Sequence, residues 1–109
     1  MAQATKTMSA IGRIGQVSTT AAESFAALRA AVDEAGPLER KYRELINIAA
    51  FATARIESGF KTHLGRALDA GATPEEARQA TMLTFGSTLG ISPVTDALRW
   101  IDEVLANRG

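Results

Sequence analysis

One side chain in the sequence is suited to moving protons near neutral pH: the single histidine, His63. Three residues on stands Arg66, which on a helix shares its face. An imidazole beside a guanidinium can shuttle a proton while the guanidinium grips a carboxylate through two hydrogen bonds. Arg55 and Lys61 are lesser cations of the same neighbourhood. Each has a plain alternative. His63 also reads as a boundary histidine with a satisfied hydrogen bond. Arg55 and Arg66 also read as solvated surface cations, and Lys61 as the i,i+4 partner of Glu57.

The remaining inventory excludes much. There is no cysteine, so thiol catalysis, disulfides and thiolate metal sites are ruled out. One histidine cannot build a multi-histidine metal cage, and neither a metal nor another cofactor is expected. Twelve basic and twelve acidic residues cancel, leaving no basic field for nucleic acid or an anionic membrane. No apolar run approaches membrane-spanning length, and the first residues do not read as a signal peptide. The expected setting is the cytoplasm.

The elements that must position these residues read as helices throughout. The 109 residues suit one domain, 46% of them are apolar, and alanine prevails over β-branched types. Residues 1–18 are small and polar and read as a flexible arm, with the domain over 19–109. Phe25, Leu28, Val32 and Ala35 predict a first helix with one buried stripe, ended by Gly36-Pro37. A second helix starts near Leu38, with Leu38, Tyr42 and Leu45 facing inward. From Leu45 to Ala54 it is apolar nearly all round, the mark of a central helix. Arg55 to Gly59 reads as a bend with Gly59 as its flexible point. A third helix carries Phe60, Leu64, Ala67 and Leu68 and stops at Gly71. Thr73-Pro74-Glu75-Glu76 is a capping box opening a fourth, which runs to about Thr88. Ser92-Pro93 opens a fifth with the stripe Val94, Ala97, Leu98, Ile101, Val104 and Leu105, and Trp100 at its edge. The expected fold class is all-α: a compact bundle of about five helices around a central apolar one.

The stretch LERKYRELINIAAFATARIESGFKTHLGRALDAG, residues 38–71, is followed by Ala72-Thr73-Pro74-Glu75-Glu76, then Gly90-Ile91-Ser92-Pro93 and a terminal helix. In that order, these segments resemble the carboxymuconolactone decarboxylase family, with its alkylhydroperoxidase-D-like (AhpD-like) fold, over about residues 25–105. The resemblance implies a helical domain that assembles with copies of itself into a homo-trimer or homo-hexamer. In the peroxidase-like branch a Cys-x-x-Cys precedes a histidine by four residues and follows a glutamate by twelve. His63 matches the histidine and Glu44 the glutamate, while the cysteine positions fall on Ile56 and Gly59. No nucleophile remains there, so thiol peroxidase activity is expected to be absent. The decarboxylase branch acts on a small carboxylated lactone and presents a histidine in an H-L-x-x-A context, like His63-Leu64-Gly65-Arg66-Ala67. That branch also has a longer Trp-containing segment before the core, which this chain lacks.

Two functions compete. One is a cofactor-free lyase or isomerase acting on a small carboxylated metabolite. His63 and Glu44 would be its proton-handling residues, and Arg66 or Arg55 its carboxylate binders. The alternative is a non-catalytic oligomeric module that binds a small molecule or serves assembly. Glu44 itself has a bland reading, a solvated carboxylate paired with Arg40 or Lys41. Helix rise puts it about 15 Å from the end of its helix. Contact with His63 then calls for a water, a crossing angle or a neighbouring subunit.

Overall fold

The computed structural model describes residues 8–108. Six helices follow in order: α1 Ala10–Val17, α2 Thr19–Glu34, α3 Arg40–Ala54, α4 Glu57–Asp69, α5 Pro74–Met82 and α6 Ile91–Arg108. The all-α expectation holds. Among the described residues there is no strand, only an isolated bridge between Phe85 and Leu89. The sixth helix is α1, which lies in the segment read as an arm; residues 1–7 of that arm fall outside the described residues. Ser9 caps α1 by accepting from the Gly12 N–H at 3.1 Å, and Ser18 caps α2 through the Ala21 N–H at 3.1 Å. Serine at an N-cap satisfies a donor that the helix itself leaves open. This polar, glycine-bearing stretch carried that cap signal twice.

The chain divides into two compact units, 1–37 and 38–109. In the first, α1 packs on α2, and neither helix buries a residue. The expected buried stripe is therefore corrected. Phe25, Leu28 and Val32 are each more than half exposed. Two helices, one of only two turns, cannot enclose a side chain between them.

The second unit holds the core. Here α3 packs against α4, α5 and α6, as a central helix should. Ile48, Ala52, Phe60, Leu64, Ala77, Ala97 and Ile101 are sealed from water. The α6 stripe enters this core as read, and Trp100 is buried with it. The inward reading of Leu38 and Tyr42 is overturned: both are nearly half exposed. Leu38 lies before α3 begins and Tyr42 in its first turn, ahead of the helix's buried positions Glu44, Ile48 and Ala52.

The turns show how the sequence sets the helix ends. After α3, Arg55 adopts a left-handed conformation (φ 60°, ψ 41°). Its N–H bonds to Ala52 O, and the Ile56 N–H to Phe51 O. This is the Schellman ending, with arginine where glycine is usual. After α4 the same pair of bonds recurs around Gly71 (φ 101°). The bend is thus only Arg55 and Ile56, and Gly59 lies inside α4. The fourth helix of the sequence reading also stops early, at Met82. Thr84 O then accepts from the N–H groups of Ser87, Thr88 and Leu89, winding residues 84–89 into turns instead of helix.

Candidate active site

Glu44 and His63 meet directly. Nδ1 of His63 lies 2.6 Å from Oε1 of Glu44, and both side chains are largely buried, at 14% and 9% exposure. The helical hairpin explains the contact. Glu44 and Phe51 are seven residues apart on α3, hence two turns along one face. His63 on α4 touches both: its ring stacks on Phe51 at a centroid distance of 5.0 Å and 28° between planes. The imidazole therefore faces the stretch of α3 between them, near residues 47 and 48. Phe51 lies a turn nearer the bend and Glu44 a turn further. Neither a water nor a second subunit is needed to join the pair.

Two residues complete it that the sequence reading did not single out. Asn47 donates from Nδ2 to the same Glu44 oxygen at 3.4 Å, and Phe51 supplies the apolar wall. Their signal was spacing: Asn47 stands three residues and Phe51 seven residues after Glu44, both on its helical face. The bland reading of Glu44 fails, because Lys41 turns instead to Glu76 at 3.2 Å. A carboxylate can only accept, so an ionised Glu44 pairs with an Nδ1–H of His63 and turns the other ring nitrogen, Nε2, away from the pair.

Gly59 is fixed by this arrangement. A Cβ built on it would overlap the Phe51 ring. The expectation of a flexible point at Gly59 is corrected: its role is close approach. It lets α4 come near enough to α3 for His63 to reach both Phe51 and Glu44.

The expected cations lie elsewhere. Arg66 sits one turn beyond His63 on α4, with its side chain exposed and making no ion pair among the described residues. Arg55, in its left-handed turn, lines a groove of about 230 Å³ with Ser92, Pro93, Asp96 and Trp100, which neither His63 nor Glu44 borders. Lys61 joins an ion network, 2.8 Å from Glu57 and 2.6 Å from Glu103. The Glu103 carboxylate, followed by that of Glu57, raises its pKa, so it is a bound structural cation.

Comparison with protein families gives one decisive match: the carboxymuconolactone decarboxylase family model aligns with residues 19–103. The chain belongs to this family. Searches of curated proteins and of solved structures return no match. The matched segment contains the whole Glu44–His63 hairpin. As a cysteine-free member, the protein carries the family's helical domain without any thiol. Among the described residues no helix is long and apolar enough to cross a membrane.

Proposed function

We propose that this carboxymuconolactone decarboxylase family member is a cofactor-free lyase or isomerase acting on a small carboxylated metabolite, with His63 and Glu44 as its proton-handling pair. The observation that carries the reading is the 2.6 Å bond between two largely buried ionisable side chains. A buried carboxylate that orients an imidazole is the usual way to prepare a general base or acid. Glu44 holds the Nδ1 proton, Phe51 fixes the ring plane, and Asn47 steadies the carboxylate. Nε2 is then free to take a proton from a carbon acid, or to return one after C–CO₂ cleavage has left an electron pair on carbon. Arg66, three residues further along the same helix and exposed, would be the cation that draws in the substrate carboxylate. As a homo-trimer or homo-hexamer, the protein would need a neighbouring copy to wall in the substrate beside His63.

The test is turnover of small carboxylated lactones, followed by CO₂ release and by chromatography of the product. His63→Gln should abolish turnover. Glu44→Gln should lower it by about 10²–10⁴-fold, the usual contribution of general acid–base catalysis. Turnover that survives His63→Gln unchanged rejects the mechanism. Absence of turnover across such lactones would favour the non-catalytic module. A hydrogen peroxide reduction assay should be blank, since no thiol is available to be oxidised.

A further inference from the structure

The groove around Arg55 is separate from the Glu44–His63 pair and has its own chemistry. Four features converge there. Trp100 is the only tryptophan of the chain and more than nine-tenths buried. Its ring is held edge-on by Phe60 at 5.4 Å and 62°, and the little of it left open lines this groove. Its Nε1–H has no acceptor among the described residues and is not among the buried unsatisfied atoms, so it is open to solvent and available to a ligand. The Arg55 guanidinium, on the same groove, makes no ion pair or hydrogen bond with any described residue. Ser92 adds a hydroxyl from the first turn of α6. Asp96, on the opposite charge side, is held 3.2 Å from Arg99, so it is an anchored acceptor.

The donors outnumber the acceptors, and the one free formal charge is positive. An anion is what such a set of donors attracts, and a carboxylate can take the fork of Arg55 with further bonds from a hydroxyl or indole donor. Asp96 gives the other end of the ligand an acceptor. The groove, about 230 Å³ with Trp100 and Pro93 in its lining, limits the ligand to a small molecule. We infer that this groove is a second ligand site, which binds a small carboxylate bearing a hydrogen-bond donor such as a hydroxyl a few atoms from the acid. Arg55 and the Trp100 N–H hold the carboxylate, and Asp96 accepts from the hydroxyl.

Trp100 reports on its own site. In a titration of the full chain with 3-hydroxybutyrate at constant ionic strength, tryptophan fluorescence should change and saturate. Butyrate should bind more weakly, and 1,3-butanediol, which lacks the acid, should not saturate. Arg55→Asn keeps a residue tolerated in the left-handed region and removes the charge; it should weaken binding at least about tenfold. Ser92→Ala, which does not touch the turn, should weaken it by a smaller factor. Arg78→Gln, which removes a cation remote from the groove in sequence and lining, should leave the titration unchanged. A response no larger than that to sodium chloride overturns the site, as does a saturable response that Arg55→Asn and Ser92→Ala leave intact. None of these readouts depends on lactone turnover, so the two assignments stand or fall apart.

Discussion

At the scale of single residues, the close contact at Gly59 makes the sharpest prediction. Because a Cβ there overlaps the Phe51 ring, Gly59→Ala must push α4 from α3 or force Phe51 off its rotamer. Overpacking of this kind costs about 1–3 kcal/mol, measurable as a fall in thermal midpoint. In a Phe51→Leu background the same substitution should cost less, since the clashing ring atoms are gone. Equal costs in both backgrounds would mean that the ring is not the obstacle. His63 was legible from its type, being the only imidazole, and Glu44 from its register in the family pattern. Asn47 and Phe51 were not, because an asparagine and a phenylalanine on a helix announce nothing until the facing helix is in place. Arg55 was legible as a cation, but its left-handed backbone and its separate groove belong to a turn that periodicity does not describe.

At the scale of elements, the helix starts followed most directly from sequence. The capping box at Thr73 is complete: Glu76 N–H donates to Thr73 Oγ1 at 3.0 Å, and Thr73 N–H donates to Glu76 Oε1 at 2.9 Å. The Thr73 N–H, and then Lys41, hold the Glu76 carboxyl below its ordinary pKa. A carboxyl whose folded pKa is depressed stabilises the fold above its unfolded value, and this stabilisation is lost as pH falls through the folded one. The thermal midpoint of Glu76→Gln should therefore lie below that of the parent at pH 7, and the gap should close as the pH falls below the usual carboxylate range. A gap that persists in acid would show that the ionised carboxylate is not what matters. Helix ends were harder to read. The sequence carried α5 on to Thr88, but Thr84 gathers three N–H groups on its carbonyl and closes the chain into turns. Its neighbours Thr81, Gly86 and Ser87 are residues that helices tolerate, so nothing in their types forbade another turn.

For the whole molecule, composition fixed the class, since a cysteine-free, alanine-rich chain with helical spacing has few other folds open to it. It did not reveal which stripes would be covered. Phe25, Leu28 and Val32 have the same three-four spacing as the buried positions of α6, yet stay open. So do Ile46, Leu83 and Ile91. We propose that these open apolar residues are where copies of the chain pack together. Light scattering should give a mass of three or six times 11.5 kDa, and Leu28→Glu with Val32→Glu should lower it. A monomer at micromolar concentration would dismiss the assembly. The packing at Gly59 also bears on any attempt to build redox chemistry into this hairpin. In the register of the resemblance, position 59 takes the place of the second cysteine of the peroxidase-like motif, and any side chain put there would strike Phe51. The ring must therefore shrink before a thiol pair fits, so two cysteines alone would not turn this protein into a peroxidase.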